Sequence, residues 1–399
     1  MTSSHSQPPL SDDTTVIEAD PRADDAPPTA AVPNDQGLQP VKLLIGVLGV
    51  ALTIWAMGNL FLAFAYYPEW FFNSKILMGI LGLVVGVGGA AVLFWFINVA
   101  VEALPRRLEH GLIPYAFLLP GFTLIAVTLL YPTIQSINYS FANADSTEYI
   151  ALDNYVQLFG ERAFWDAVIN NVLWIAIVPA ITVALGVVVA VLADKLSASS
   201  EKWAKSFIFL PMAISFVAAS AIWLTTVYAY QAPGRPQTGA LNAILQQLGG
   251  TPQNWLAIDT ARLNSILLMV ILVWLQTGFA MVLLSSAIKG VPEDTIEAAR
   301  IDGATELQIF WKVVIPQIKG TIITVFITVL ILVMKVFDIV YVLTNGRDNT
   351  DVIANKFFNE MFARGQAGRA TAIVTILLVA VIPILVYQIK QFREQEAMR

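Results

Sequence analysis

Hydrophobic residues are concentrated in eight long runs that short polar segments separate. Each run has about 20 residues or more, the length of helix that crosses the hydrocarbon core of a bilayer. Backbone N–H and C=O groups find no water in that core, so the runs are predicted to be helices. The predicted spans are Leu43–Ala65, Ile76–Val101, Leu112–Tyr131, Val168–Ala193, Phe207–Tyr230, Ile266–Ile288, Thr321–Leu343 and Ala370–Ile389.

The composition agrees with this pattern. Hydrophobic residues make up 57% of the chain and charged residues only 13%, with a mean hydropathy of +0.67. Soluble domains carry about 25% charged residues. The predicted fold class is therefore an all-α integral membrane protein with eight transmembrane helices embedded in a lipid bilayer.

The net charge of −6 belongs to one segment. Residues 1–40 hold seven acidic residues and one basic residue, while the chain from Val41 onward holds 22 of each. Residues 1–40 also hold seven prolines and no aromatic residue, so they are predicted to be a disordered acidic tail. No segment carries the basic excess of a nucleic-acid-binding protein, and no nucleic-acid partner is expected.

Loop charges predict the orientation. An even number of spans places both termini on one side of the membrane. If that side is the cytoplasm, the cytoplasmic loops and C-terminus hold 12 Lys and Arg in 63 residues, and the outer loops hold 8 in 97. Positive residues are more frequent inside, so both termini, including residues 391–399, are predicted to be cytoplasmic.

Catalytic and metal-binding residue types are scarce. The chain has no Cys, and its two His residues, His5 and His110, lie in polar segments far apart. Disulfides and thiolate sites are therefore excluded, and no metal site is expected. No nucleophile–base pair is apparent, so an enzyme is not expected.

The cytoplasmic segment 289–319 has an organised sequence. Pro292 suits the first position of a helix, and Glu293 and Asp294 complement the positive end of its dipole. Gly303 suits the position just after the end of that helix. The pattern predicts a short helix that ends before Gly303.

A second short helix is predicted directly afterwards. Thr305 and Gln308 have the spacing of a capping box, and Pro316 is predicted to end the helix. An apolar face of this kind either packs under the chain's own helices or docks on another protein, and the residues leave both possibilities open. The face consists of Leu307, Phe310, Trp311 and Val314.

The string EAARIDGATELQIFWKVVIPQ at residues 297–317 resembles the EAA signature of ABC-importer permeases. Residues 114–120, 152–155 and 337–346 resemble the carbohydrate-uptake subset, the relatives of maltose permease F and of the α-glucoside and glycerol-3-phosphate permeases. The likeness covers about residues 112–390. It implies a six-helix permease core at 112–390, preceded by two additional helices at 41–111.

The resemblance also implies partners. In that family the EAA loop is a cytoplasmic coupling helix that sits in a groove of an ATPase. This chain has no G-x-x-x-x-G-K-[ST] phosphate loop, so ATP would be bound by an ABC ATPase dimer and the chain needs no cofactor of its own. A second permease subunit and an extracytoplasmic sugar-binding protein complete the implied importer in a bacterial inner membrane. The implied ATPase-coupling residues are Glu297, Ala298, Ala299, Asp302, Gly303 and Pro316.

Polar residues within the spans are the substrate candidates. Charges inside a bilayer are costly and are functional by default, and the seventh span contains Lys335 and Asp338. Either they form an i, i+3 ion pair or they bond sugar hydroxyls at a translocation cavity. The resemblance adds Gln276 and Phe279, matched through the EAA loop. Trp223 and Tyr228 are further aromatic candidates, which packing would also explain.

The expected function is the permease subunit of an ATP-driven importer for an α-glucoside-like di- or oligosaccharide. The alternative is a secondary transporter driven by an ion gradient. That class predicts broken, charged spans at corresponding positions of internal repeats. Only Lys335 and Asp338 fit, and both lie in one span. A membrane scaffold would leave the polar residues of the spans unexplained.

Overall fold

The computed structural model describes residues 37–232 and 234–397, so most of the predicted tail lies outside the described residues. The chain divides into two compact units after Thr128. Helices form nearly all of the regular structure in the described residues. The one isolated β-bridge joins Ala142 and Tyr149.

The first unit contains the two additional N-terminal helices. Helix α1 (Pro40–Tyr66) packs against α2 (Lys75–Glu102), and α3 (Arg106–Ile125) follows. A Cβ on Gly49 would lie 2.0 Å from the ring of Phe96, so glycine permits this close approach of α1 and α2.

The second unit contains the remaining helices and most of the buried core. Three segments have the wider π-helical winding: Ala126–Leu130 between the units, Phe310–Val314 and Asn359–Ala363. The α-helices are α4 (Tyr131–Tyr139), α5 (Asp153–Gly160), α6 (Arg162–Asp194), α7 (Ala198–Phe209), α8 (Phe216–Thr226), α9 (Ala240–Gln247), α10 (Leu263–Lys289), α11 (Glu293–Ile301), α12 (Glu306–Ile309), α13 (Ile315–Gln317), α14 (Lys319–Met334), α15 (Asp338–Leu343), α16 (Ile353–Phe358) and α17 (Ala367–Ala397).

Helix α10 is the centre of the second unit and packs against α6 and α14. A Cβ on Gly186 of α6 would lie 2.6 Å from the Cβ of Ala280 on α10. A Cβ on Gly278 would lie 2.4 Å from the carbonyl oxygen of Ile208. The absent side chains therefore set how closely α10 meets its neighbours.

The predicted fold class, an all-α integral membrane protein with eight transmembrane helices, is confirmed. Six helices in the described residues are long and apolar enough to cross a membrane. Two pairs of shorter helices bring the number to eight if each bent pair counts as one span. The pairs are α7 with α8, bent by 102°, and 306–317 with α14, bent by 68°.

The prediction that Phe207–Tyr230 is one continuous helix is wrong. The chain leaves α7 through a 3₁₀ turn at Leu210–Ala213 and restarts as α8. Ser215 caps the new helix, since its Oγ accepts a hydrogen bond from the backbone N–H of Ala218 at 3.2 Å. Pro211, within the turn, lacks the N–H that a continuing helix needs.

The continuous helix predicted at Thr321–Leu343 is also wrong. Helix α14 ends at Met334, and α15 begins only at Asp338. Between them Lys335 has φ −109° and ψ 24°, and Phe337 has φ −141° and ψ −58°. The break contains neither glycine nor proline, so local sequence rules do not reveal it.

Candidate functional site

We call residues 289–319 the coupling loop after their predicted role. The loop consists of two short helices at a tight turn. Helix α11 is followed by Gly303, whose φ of +83° suits a residue without a Cβ. The predicted capping box is confirmed. Thr305 Oγ1 accepts from the backbone N–H of Gln308 at 3.4 Å, and Gln308 Oε1 accepts from the backbone N–H of Thr305 at 2.9 Å. Local hydrogen bonds therefore fix the direction in which α12 leaves the turn.

Most of the predicted coupling residues on this loop are accessible. An ion pair of 2.8 Å between Arg300 and Glu306 joins α11 to α12. Ala299 is half-buried against the loop's own apolar cluster. The exposed coupling residues are Glu297, Ala298, Asp302, Gly303 and Pro316.

The four residues of the predicted apolar face all line one cavity of about 850 Å³ beside α6. Phe310 and Val314 pack inward, whereas Leu307 and Trp311 are 68% and 60% exposed. The helix winds as a π-helix over Phe310–Val314, so part of the face packs on the loop's own cluster and part stays accessible.

The helix ends at Gln317, one residue after Pro316, which was predicted to end it. Proline is tolerated there because it occupies the first turn of α13, directly after the π-helical winding. The chain then bends into α14.

A network of charges connects the beginning of the coupling loop to three helices. Lys205 Nζ lies 2.8 Å from Asp194 Oδ1 and 2.5 Å from Glu201 Oε1. Lys289, the last residue of α10, pairs with Glu201, and Ser285 Oγ donates to Asp194 Oδ1 at 2.8 Å. Sequence reasoning missed these residues. Charges near the ends of spans were visible, but no local pattern pairs residues that lie 80 to 91 positions apart.

Lys335 and Asp338 lie on either side of the break between α14 and α15. An i, i+3 ion pair needs a continuous helix, so the break removes the geometry of that alternative. Both residues instead line a cavity of about 290 Å³, together with Phe216 and Leu272. The cavity remains a candidate substrate site.

Gln276 and Phe279 lie elsewhere on α10. Gln276 is 6% exposed, and Phe279 packs against a cluster that includes Ala280 and Val325. Neither side chain lines the cavity of Lys335 and Asp338.

The two aromatic candidates pack in the main core. Tyr228 is 3% exposed, and its hydroxyl donates to the carbonyl oxygen of Leu267 at 2.8 Å. Trp223 meets Trp274 edge-on with ring centroids 5.7 Å apart. The structure therefore does not gather the six substrate candidates into one pocket, and their roles stay predictions.

Charged side chains also join the segment before α6 to α17. Glu161 pairs with Arg369, whose hydrogen bond holds the pKa of the Glu161 carboxyl below its ordinary value of 4.5. Glu360 is 2% exposed and pairs with Arg364 at 2.6 Å and with Arg369 at 3.4 Å. Glu161 and Arg369 lie 208 residues apart, and the sequence alone did not suggest the pairing.

Asn170 holds the loop between α15 and α16. Its Nδ2 donates to the carbonyl oxygens of Asn349 at 2.6 Å and Asp351 at 2.8 Å. Its Oδ1 accepts from Arg262 Nη1 at 2.5 Å. The loop is therefore positioned by side chains of α6 and of the residue just before α10.

Comparison with known proteins decides the family. The profile of the family described as "Binding-protein-dependent transport system inner membrane component" matches residues 183–395, and this range includes the whole coupling loop. The chain belongs to this family. The match confirms the resemblance seen in the EAA string. It supports the importer interpretation over the ion-gradient alternative.

Two relatives of this permease are similar over almost their full length. The alpha-glucoside transport system permease protein AglF of Rhizobium meliloti is 41% identical over 331 residues, which are 79% of this chain and 97% of the relative. The osmoprotective compounds uptake permease protein GgtC of Synechocystis is 45% identical over 283 residues, 71% of this chain and all of the relative.

The fold also occurs in a solved transporter. A chain of a bacterial ABC transporter that imports the acidic polysaccharide alginate has a TM-score of 0.61 and 21% identity to this permease. The match covers 72% of this chain and 98% of that chain. The helical arrangement is therefore that of an ABC-importer permease, a multi-pass inner membrane protein.

Proposed function

We propose that this permease carries an α-glucoside-like di- or oligosaccharide across the inner membrane after an extracytoplasmic binding protein delivers it. The identity of 41% to an alpha-glucoside permease supports this substrate class. The relative at 45% identity takes up osmoprotective compounds, which are the second candidate class.

The accessible coupling residues are the observation that carries the assignment as an ATP-driven importer. Glu297, Ala298 and Gly303 face solvent on a loop whose other side is an apolar cluster. Two small residues allow close approach of a partner, and the carboxylate of Glu297 offers a charge for a basic partner residue. An ABC ATPase dimer docks on this surface and hydrolyses ATP, while the permease itself is not a catalyst.

A second permease subunit completes the translocation pathway. Loop charge supports an orientation with the coupling loop and both termini in the cytoplasm. The substrate passes the cavity of Lys335 and Asp338, whose charged groups bond sugar hydroxyls. Gln276 and Phe279 remain candidate contacts on α10.

Reconstitution tests the proposal. The permease is co-expressed with its second permease subunit, its ATPase and its binding protein, and uptake into proteoliposomes is measured for α-glucosides, β-glucosides and an osmoprotective compound. Uptake of α-glucosides that requires ATP and the binding protein is expected. Uptake driven by an ion gradient without the ATPase would overturn the importer assignment. Uptake of the osmoprotective compound alone would favour the second substrate class.

A further inference from the structure

Four aromatic rings form a continuous series beside the break between α14 and α15. Phe337 lies in the break, Tyr341 on α15, Phe358 at the end of α16 and Phe362 in the π-helical turn that follows. The ring centroids are 5.1 Å apart for Phe337 and Tyr341, 4.9 Å for Phe337 and Phe358, and 4.8 Å for Phe358 and Phe362. We call these four residues the aromatic series.

One end of the aromatic series reaches the cavity of Lys335 and Asp338. Phe337 lines the cavity of about 290 Å³ that also contains Lys335 and Asp338. The series therefore begins at the place where two charged side chains interrupt an apolar span.

The other end of the aromatic series lies at the surface. Phe362 is 69% exposed although its ring lies close to that of Phe358, and Tyr341 is 40% exposed. Phe362 also lies in a π-helical turn, a rare winding that is frequent at functional sites.

Amide groups accompany the exposed rings. Asn359 follows Phe358 directly and precedes Phe362 by three residues in the same turn. Its Nδ2 donates to Asn345 Oδ1 at 3.0 Å, at the surface. Aromatic faces next to amide groups suit a pyranose, which has an apolar ring face and a rim of hydroxyls.

We propose that the aromatic series is a stacking track for pyranose rings between the surface at Phe362 and the cavity at Lys335 and Asp338. The exposed rings of Tyr341 and Phe362 accept the apolar faces of sugar units, while the amides of Asn345 and Asn359 bond the sugar hydroxyls. The track rests on the sugar assignment proposed above and adds the route by which the sugar reaches the cavity.

The test uses the complete transporter in proteoliposomes with saturating, sugar-loaded binding protein. Phe362→Leu removes the ring but keeps an apolar side chain, and Phe362→Tyr keeps the ring. Sugar taken up per ATP hydrolysed is expected to fall about 2- to 10-fold in Phe362→Leu and to stay near wild type in Phe362→Tyr. The matched control is Trp70→Leu in the first unit, because Trp70 is 67% exposed and stacked on Tyr67. This control is expected to leave the ratio unchanged.

The outcomes separate the track from the proposed function. If the wild-type transporter takes up no sugar, the sugar assignment fails and the track fails with it. If the wild type takes up sugar and Phe362→Leu keeps the wild-type ratio, only the track is overturned. If Phe362→Leu instead reduces co-purification of the second permease subunit, the ring belongs to a subunit interface and the track is likewise overturned.

Discussion

Substitution of Gly303 tests the role of the coupling loop most directly. Gly303 has a φ of +83°, and a Cβ at this position would meet no other atom within 4 Å. An alanine would therefore suffer backbone strain of about 1–2 kcal/mol without a steric clash. That strain lowers the population of the native turn relative to other conformations about 5- to 30-fold. Asparagine and aspartate tolerate this conformation better than alanine, so they leave the turn nearly intact.

Gly303→Asp and Gly303→Asn then separate charge from shape. The aspartate adds a carboxylate to a surface that already exposes Glu297 and Asp302. We expect Gly303→Asp to abolish ATP-driven uptake and co-purification of the ATPase, while the permease stays in the membrane. Gly303→Asn, with a side chain of nearly the same size but no charge, is expected to keep more ATPase bound than Gly303→Asp.

Gly249 supplies the matched control. Its φ is +81°, and a Cβ there would also meet no atom within 4 Å, but it lies outside the coupling loop. Gly249→Asp therefore introduces the same strain and the same charge at a different place. The assay is the amount of ATPase that co-purifies with equal amounts of permease. Wild-type co-purification with Gly303→Asp, or an equal loss with Gly249→Asp, would refute the docking role of the loop.

Three further predictions concern the spans and their ends. Lys335→Ala is expected to weaken apparent sugar affinity about tenfold by removing a charged hydrogen-bond donor, and unchanged uptake kinetics would exclude Lys335 from the site. Gly186→Ala places a Cβ 2.6 Å from the Cβ of Ala280, so it should destabilise the protein by about 1–3 kcal/mol, measured by thermal unfolding in detergent. The additional substitution Ala280→Gly should restore stability. No restoration would contradict the packing argument. Because the pKa of Glu161 is lowered in the folded protein, its pairing with Arg369 stabilises the fold at pH values above the ordinary pKa of 4.5. This stabilisation is lost as the pH falls through the lowered pKa. Glu161→Gln should therefore be less stable at neutral pH and show a flatter acid dependence, and an unchanged profile would show that the pairing adds nothing.

Patterns local in sequence predicted the local structure well. Long apolar runs predicted the helices, because a backbone inside the bilayer can pair its polar groups only within a helix or a closed barrel. The capping box of Thr305 and Gln308 depends on residues three apart, so it could be read directly. The π-helical winding at Phe310–Val314 could not be read in this way, because it depends on how the loop packs.

Features that depend on distant residues were not predictable. The break at Lys335–Phe337 has no glycine or proline to mark it. The aromatic series joins Phe337 to Phe358 across 21 residues, and the Lys289–Glu201 pair joins residues 88 apart. Tyr228 was a substrate candidate because it is an aromatic residue within a span. Its place in the core depends on a hydrogen bond to Leu267, and no local pattern connects the two residues. Contacts of this kind follow from the fold.

The coupling loop is attached to the spans by apolar packing at both of its ends and by ion pairs at one of them. Its apolar cluster, which includes Val291, Val314 and Ile318, also contains Ile288 at the end of α10 and Ile322 at the start of α14. A partner that moves the exposed surface therefore moves the ends of both helices together. The ion pairs of Lys289 extend that connection to α6 and α7. The backbone can turn at two places without unwinding a continuous span: the bend between α7 and α8 and the break after α14.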